Sequence, residues 1–480
     1  MNHQLRVQPS AAPASGGWLK AVQDLRAAGM QRQALGILVP MISRPDFELE
    51  AIDQAAICYF DLGDVVTALK LVRVMLQKWP GSAVAWAKLG AMEQALGDTE
   101  AAANGFKKAL ELDPFMIRAL APLNGLEPFS RNGQHTARLK KLSHRKDLRP
   151  QDRALVLNTL GQIEQRAGNS AAAMRYFRNS KAASDASHDP EHDAQLVDAQ
   201  IAAFQPLPPG RPQPDGPKVI FVCGLPRSGT TLAEAVLQRH SAVGTIGESK
   251  ALTKALQEVR KYTAEKGRGS DPWSWCGRLQ EEEISIFRRY YFEVALQGKD
   301  KGGVIVDKMP MNCRDLALAH VLLPDARFVF MSRHPLDVGL SNFSICFQKV
   351  VPFTCRLDWL GSMIREVYRS ALDYQAKLGS GIRVQSFRAL VSDPERQIRD
   401  LLAHCGLEWE DVCLSPEEGR GAVNTASVLQ VREKINTKGL DKWRAFEKEL
   451  QPLTDALGGA DWLRQWKAWD DHAAETGRFA

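Results

Sequence analysis

The chain has 480 residues, of which 44% are hydrophobic and 25% charged, and a formal net charge of +6. This composition excludes wholesale disorder and a fibrous protein, and the length predicts two or more domains. No apolar run reaches the roughly 18 residues of a membrane span, and no basic run indicates nucleic acid. Residues 1–17 lack the apolar core of a secretion signal, so we expect a disordered tail there and a cytoplasmic protein.

A repeated helical pattern fills residues 18–204. Between Ala85 and Pro114, apolar residues recur at helical spacing on both sides of a Gly97-Asp98 turn. The spacing of 34 residues recurs at two sets of positions, Gly29, Gly63 and Gly97, and Pro80 and Pro114. This period and the W-x2-L-G core at Trp86–Gly90 resemble the tetratricopeptide repeat, whose helix pairs stack into a solenoid. An ordinary helical bundle with accidental spacing is the alternative.

Looser units follow, with turns near Asn132-Gly133 and Gly168-Asn169, and bring the total to about four or five repeats. Such an array presents a concave surface whose usual occupants are peptides or partner proteins. We therefore expect it to bind a protein or peptide, although capping and formation of a homodimer are equally physical uses of the same surface.

A proline-rich linker is predicted at residues 205–217, where QPLPPGRPQPDGP contains six prolines. Fixed φ angles and missing amide donors exclude a helix or a central strand there. Beyond it, residues 218–480 alternate short apolar strands with helical stretches; the strand segments are VIFVCG, GGVIVDK, RFVFMSR and IRVQSF. Strands buried on both faces predict a parallel sheet covered by helices, so the second domain is expected to be a three-layer α/β domain.

Two further features of the chain are structural expectations. The eight cysteines form no C-x-x-C pair, which favours buried free thiols over a disulfide framework or a zinc site. Trp273 and Trp275, in the segment DPWSWC, are expected to pack in the core rather than to line the entrance of a site.

The segment FVCGLPRSGTTL follows the first strand and contains the glycine frame of a phosphate-binding loop, Gly224-x4-Gly229. Its backbone N–H groups and the positive end of the next helix suit an anionic oxygen cluster. Thr230, however, stands where an ATP-binding loop has its lysine. A kinase or NTPase remains an alternative because Asp307 ends a strand, as a magnesium-binding aspartate does, and so does a purely structural turn.

Two separated motifs carry a family resemblance: P-R-S-G-T-T at Pro226–Thr231 and S-R-H-P-L-D at Ser332–Asp337. They resemble the sulfotransferases that use 3′-phosphoadenosine 5′-phosphosulfate, above all the bacterial tetratricopeptide-repeat sulfotransferases and then the protein-tyrosine sulfotransferases. The resemblance extends from residue 218 to about residue 446. It implies a P-loop-like sheet of the sulfotransferase type, this nucleotide as co-substrate, and no metal.

The resemblance also implies donor-binding residues. The 5′ end of the donor is assigned to the first loop, Arg227, Ser228, Gly229, Thr230 and Thr231. The 3′-phosphate is assigned to Arg333 and Ser341. Weaker matches near the C-terminus are Ser427, Arg432, Lys438 and Gly439. Phe387 departs from the family pattern because it stands where relatives usually have tyrosine, and this puts any role of that hydroxyl in doubt.

Two residues match the catalytic positions of the family. Glu248 is expected to act as the base that removes the acceptor proton, and Lys308 to stabilise the leaving group. His240 is a less favoured candidate for the base, since a histidine at a helix end is more often a cap.

The resulting hypothesis is a sulfotransferase acting on an acceptor hydroxyl, with tyrosine in a protein or peptide preferred. The competing class is a non-catalytic repeat scaffold.

Overall fold

The computed structural model describes residues 17–206, 216–296, 303–347, 350–419 and 433–480. The described chain forms two compact units, which divide between His144 and Arg145. The tail, except for its last residue, and most of the 205–217 linker lie outside the described residues. The domain boundaries drawn from the sequence therefore stay predictions.

The first unit is helical. Its helices are α1 (Trp18–Ala27), α2 (Gln31–Ile42), α3 (Leu49–Asp61), α4 (Val65–Lys78), α5 (Ala83–Leu96), α6 (Thr99–Leu112), α7 (Ile117–Leu126) and α8 (Gln134–Ser143). The predicted turns lie between paired helices, and Gly29, Gly63 and Gly97 adopt positive φ angles of 73°, 79° and 92°. Only glycine adopts this conformation at low cost. The helical half is thus consistent with repeats.

The residue after each of two turn glycines begins the next helix. Asp64 accepts a hydrogen bond from the Thr67 amide (3.0 Å), and Asp98 accepts one from the Ala101 amide (2.9 Å). Each side chain satisfies an amide that has no partner within its own helix, which is worth about 1 kcal/mol. The Gly-Asp pairs therefore end one helix and begin the next.

The second unit contains a five-stranded sheet: β1 (Lys218–Gly224), β2 (Val243–Gly247), β3 (Val304–Asp307), β4 (Arg327–Ser332) and β5 (Ile382–Ser386). Its helices are α9 (Pro150–Arg166), α10 (Ser170–Ala182), α11 (Pro190–Ala203), α12 (Thr230–Gln238), α13 (Ala251–Glu265), α14 (Glu281–Leu296), α15 (Leu316–Leu322), α16 (Pro335–Phe343), α17 (Leu357–Leu378), α18 (Phe387–Ser392), α19 (Pro394–His404), α20 (Gln451–Leu457) and α21 (Gly459–Thr476).

The strands are all parallel, in the order β2-β3-β1-β4-β5. Four of them coincide with the strand segments recognised in the sequence. The edge strand β2 was missed, because its sequence, VGTIG, contains two glycines and only its first residue is buried.

Helices cover both faces of the sheet. Val219 and Phe221 of β1 belong to the core cluster beneath α13, α14, α15 and α17, whereas Ile220 and Val222 belong to the cluster beneath α12, α18 and α19. Such alternation is the signature of a strand buried on both faces. The expected parallel α/β sheet covered by helices, preceded by a helical half, is confirmed.

Helices α9 to α11, which the sequence assigns to the repeats, pack against the α/β layers in the second unit. Gln200 of α11 donates to Asp373 of α17 (3.0 Å), and Asp198 pairs with Arg369 (2.6 Å). On α10, Lys181 is buried and donates to the carbonyl of Asn342 (3.0 Å). The last helices of the repeat pattern are therefore part of the α/β unit.

Among the described residues, the expectations for the cysteines and the two tryptophans hold, except that three cysteines are only half-buried. All eight cysteines are free, and five of them are buried. Trp273 and Trp275 are 6% and 1% exposed, with ring centroids 5.8 Å apart. None of the described helices combines the length and apolarity needed to cross a membrane.

Candidate active site

A cavity of about 460 Å³ lies at the carboxyl edge of the sheet. Residues that directly follow β1, β4 and β5 line it, together with the segment 433–442 and part of α9. The central strand β1 lies between β3 and β4, so successive connections leave it in opposite directions. Open parallel sheets bind their ligands at such a switch point.

Eight of the predicted site residues line this cavity: Arg227, Gly229, Thr230, Thr231, Arg333, Ser341, Lys438 and Gly439. Ser228 is buried and is not among the lining residues. Glu248 and Lys308 lie at the same edge of the sheet but also do not line the cavity. Ser427 and Arg432 fall outside the described residues.

The loop between β1 and α12 has the geometry of an anion-binding turn. Gly229 has a φ of 108° and no side chain caps α12 there. A Cβ atom at this position would lie 2.4 Å from the ring of Phe387, so only glycine fits. The first turn of α12, with Thr230 and Thr231, opens into the cavity. Its amide groups and two hydroxyls are the donors that an anion requires.

Arg333 follows β4 and is held rigidly. Its Nη1 donates to the carbonyl of Arg227 (2.8 Å), its Nη2 to the carbonyl of Gly439 (2.6 Å), and its guanidinium lies 4.5 Å from the ring centroid of Phe387. Burial lowers its pKa, and its buried Nε has no hydrogen-bond partner among the described residues. Since a guanidinium has five N–H donors, three remain for a ligand.

Ser341 lies two turns into α16 and faces the loop. Its hydroxyl accepts a hydrogen bond from Nε of Arg227 (2.9 Å), which leaves the O–H itself free to donate to a ligand. Burial, and secondly the charge of Arg333, lower the pKa of Arg227 to about 10. The side chain of Arg227 thus lies beside Ser341 and Arg333, although the resemblance grouped it with the loop that holds the 5′ end.

The segment that begins at residue 433 is fixed over the cavity from two sides. Asp337 of α16 accepts hydrogen bonds from the amides of Asp441 (2.9 Å) and Trp443 (3.0 Å), while Gly439 accepts from Arg333. Burial raises the pKa of Asp337. This carboxyl group therefore positions backbone, in addition to lining the cavity.

Positive charge dominates the lining of the cavity. Its cationic members are Arg166, Arg227, Arg333, Lys434, Lys438 and Lys442, and its acidic members are Asp337 and Glu433. Lys438 is exposed and pairs with Glu433 (2.8 Å). Burial and the charge of Arg333 lower the pKa of Lys442. A lining of this composition suits a ligand with several negative charges.

Lys308 and Glu248 form an ion pair at the ends of β3 and β2, with Nζ and Oε1 2.7 Å apart. The ammonium group of Lys308 also lies 3.4 Å from Oε2 of Glu234 on α12. The Lys308 side chain is 1% exposed, whereas that of Glu248 is 43% exposed. The lysine is therefore fixed between two carboxylates, of which the outer one, Glu248, is exposed to solvent.

Helix α12 connects this ion pair to the cavity. Thr230 lines the cavity, and Glu234 lies four residues later, on the same face of the helix. Four residues rise about 6 Å along a helix. The ion pair and the anion cavity are thus neighbouring parts of one edge.

The side chain of Asp307 points into the core. This residue was the reason for considering an NTPase as an alternative. Its carboxylate accepts hydrogen bonds from Tyr291 (2.9 Å) and Asn312 (3.2 Å) and is fully buried. Burial raises its pKa to about 7. A carboxyl group occupied in this way is a poor match for a magnesium-binding aspartate.

His240 is engaged by backbone on both ring nitrogens. Its Nδ1 accepts from the Ala242 amide (3.1 Å), and its Nε2 lies 3.0 Å from the carbonyl of Glu408. The ring is buried at the end of α12. This geometry favours a structural role over the alternative role as base.

Comparison with known proteins bears on residues 217–411, which match the Sulfotransferase family. The chain carries a sulfotransferase-family domain. An uncharacterized protein of Aquifex aeolicus (strain VF5) is 34% identical over 245 residues, which are 50% of this chain and 32% of that protein. Protein-tyrosine sulfotransferase 1 of Danio rerio is 26% identical over 240 residues, which are 47% of this chain and 65% of that enzyme. The chain spans less than two thirds of the length of either relative.

Solved structures of sulfotransferase domains are also similar to this chain. The sulfotransferase domain of the Synechococcus PCC 7002 olefin synthase is 21% identical, covers 48% of this chain and 90% of its own length, and has a TM-score of 0.32. The sulfotransferase domain from the curacin biosynthetic pathway is 18% identical and has a TM-score of 0.34. The match covers 51% of this chain and 98% of that domain.

Several residues of this sulfotransferase domain and its surroundings were missed by sequence reasoning. The position of Glu234 one helical turn after Thr230 was a usable signal for a residue near the site. Lys442 follows the motif residue Gly439 closely in sequence. The contribution of α9 to the cavity, through Gln162, Gln165 and Arg166, had no signal in the sequence.

Proposed function

We propose that this protein transfers the sulfuryl group of 3′-phosphoadenosine 5′-phosphosulfate to the hydroxyl of tyrosine in a protein or peptide. The observation that carries the proposal is the pairing of Glu248 with the buried Lys308, next to a cavity that holds Arg227, Arg333 and Ser341. A carboxylate base, a fixed ammonium group and an anion site are what this reaction needs.

The residues present fit such a nucleotide. The cavity volume of about 460 Å³ lies within the roughly 300–1,000 Å³ of small-molecule sites. Arg333 keeps a buried Nε without a partner among the described residues, so an anion would satisfy a donor that is otherwise costly to bury. We assign Arg333, Ser341 and the side chain of Arg227 to the 3′-phosphate, and the first turn of α12 to the 5′ end.

When bound, the nucleotide supplies an activated sulfuryl group attached to a phosphate leaving group. Glu248 removes the proton of the acceptor hydroxyl as the new sulfur–oxygen bond forms. Two of the three N–H donors of Lys308 face Glu248 and Glu234, and the third neutralises negative charge that develops on the departing phosphate oxygen. Glu234 thereby holds the ammonium group in place.

Two features support tyrosine as the acceptor: the kind of enzyme found among the relatives, and the helical half of the chain. The relatives that share this domain include protein-tyrosine sulfotransferases. A stacked helical array suits an extended peptide, and we propose that it guides the acceptor to Glu248.

The test is incubation of the purified full chain with donor labelled in its sulfate, together with a tyrosine-containing peptide, the same peptide with phenylalanine in place of tyrosine, and a glycan. We expect label in the tyrosine peptide alone. Label in the glycan alone would overturn the tyrosine assignment and keep sulfuryl transfer. Absence of transfer to all three and to the proteins of a cell extract would favour the non-catalytic scaffold.

A further inference from the structure

One wall of the anion cavity comes from α9, a helix that the sequence assigns to the repeats and not to the sulfotransferase domain. Gln162, Gln165 and Arg166 of α9 line the same cavity as Arg333 and Ser341. They lie outside the segment 217–411 that matches the family. The cavity is therefore incomplete without this helix.

The position of α9 is fixed against the helix that carries Ser341. Asn158 of α9 donates to the carbonyl of Ser344 (3.0 Å), just beyond the end of α16, and accepts from Nε2 of Gln162 (3.0 Å). Asn158 and Gln162 are one turn apart, and Arg166 is one turn further along the same face. This row of α9 thus runs from the end of α16 into the cavity.

The neighbouring helix α10 fixes the same junction. Lys181 is buried and donates to the carbonyls of Asn342 (3.0 Å) and Ile345 (2.9 Å), which flank the end of α16. Asn342 in turn donates to the carbonyl of Pro226 in the phosphate-binding loop (2.7 Å). The helical hairpin α9–α10 and the anion site are accordingly joined by hydrogen bonds through the end of α16.

We propose that α9 forms part of the nucleotide site, with Arg166 binding the 3′-phosphate beside Arg333 and Ser341 and the Gln162 amide supporting it. The proposal rests on the proposed function, since it assumes that the nucleotide occupies this cavity. Arg166 adds a second, exposed guanidinium from a separate helix to the buried one of Arg333. Recognition of the 3′-phosphate then requires α9, which lies outside the segment that matches the family.

The experiment compares Arg166→Gln with the full-length wild type by calorimetric titration with adenosine 3′,5′-bisphosphate and with adenosine 5′-monophosphate, which lacks the 3′-phosphate. Arg175→Gln is the matched control, because Arg175 is exposed on α10, away from the cavity, and loses the same charge. We expect Arg166→Gln to weaken bisphosphate binding about fivefold to tenfold and to leave monophosphate binding within about twofold.

The outcomes separate this proposal from the one on which it rests. If the wild type binds the bisphosphate and Arg166→Gln binds it equally well, the role of α9 is wrong and the proposed function stands. An equal loss for both nucleotides would assign Arg166 a structural role and also overturn the inference. Failure of the wild type to bind the bisphosphate would overturn the proposed function itself.

Discussion

The carboxyl edge of the sheet contains two regions that handle charge in opposite ways. At the ends of β1 and β4, Arg227 donates to the hydroxyl of Ser341 and Arg333 donates to two backbone carbonyls, and cations outnumber acids in the cavity lining. At the ends of β2 and β3, Lys308 is matched by Glu248 and Glu234. The first region has an excess of positive charge that a ligand can neutralise. In the second region, the positive charge of Lys308 is already neutralised by protein carboxylates. Binding and chemistry are therefore expected to respond to different substitutions.

The largest effect that separates the two regions is expected for Glu248→Gln. The change keeps the shape of the side chain and removes the base, so sulfuryl transfer should fall by about 10²-fold to 10⁴-fold. Bisphosphate affinity should stay unchanged, because Glu248 does not line the cavity. Rates with labelled donor and titration calorimetry measure the two quantities. Unchanged turnover in a folded variant would remove Glu248 from the mechanism.

The next effect concerns the cavity. Arg333→Gln should weaken adenosine 3′,5′-bisphosphate binding by about 100-fold, since it removes a buried charge that is aimed at the ligand. Arg333→Lys should fall between the variant and the wild type, because it keeps the charge and loses the fork of donors. Circular dichroism checks the fold of both variants. Full affinity in Arg333→Gln would place the 3′-phosphate elsewhere.

A smaller effect is expected for Ser341→Ala. The hydroxyl accepts from Arg227 and has one O–H to donate, so its loss should weaken bisphosphate binding about fivefold to tenfold. Monophosphate binding should change by less than about twofold if Ser341 serves the 3′-phosphate. Ser344→Ala is a matched control, because Ser344 also lines the cavity and lies three residues after Ser341, just beyond the end of α16. Equal losses in both variants would contradict the assignment.

The smallest expected effect is a change in the pH dependence of folding stability. Burial raises the pKa of Asp307 to about 7, so the folded state binds this proton more tightly than the unfolded chain, in which the pKa is about 3.9. Its contribution to stability is therefore full at low pH and is lost as pH rises toward 7. Asp307→Asn should gain stability relative to wild type between pH 5 and pH 8, as urea denaturation measures. A constant difference would contradict the raised pKa.

Much of the fold could be predicted from sequence because its signals are local. The 34-residue spacing of Gly29, Gly63 and Gly97 reflects turns that need a positive φ, and uninterrupted apolar runs mark four of the five strands. The strand β2 lacked that signal because it is a short, glycine-containing edge strand. The strand order could not be predicted, since it depends on pairing between distant segments.

The site residues that belong to a sequence motif could be predicted. The residues and side-chain directions that depend on tertiary packing could not. Arg227, Arg333 and Ser341 carry recognisable spacing, and the structure brings them together. That the side chain of Arg227 turns to Ser341 depends on the φ of 70° at Arg227, which no motif states. The contribution of Arg166 depends on how α9 packs against α16, and this too lies beyond local sequence.

The most direct test of the account is a crystal structure of the full chain with adenosine 3′,5′-bisphosphate. We expect the 3′-phosphate oxygens at about 3 Å from the guanidinium of Arg333 and the hydroxyl of Ser341, with the 5′-phosphate at the first turn of α12. The 5′ end should then point toward Lys308. A nucleotide bound away from Arg333 and Ser341, or with its 5′ end directed away from the Glu248–Lys308 pair, would contradict the division of the edge into a binding region and a catalytic region.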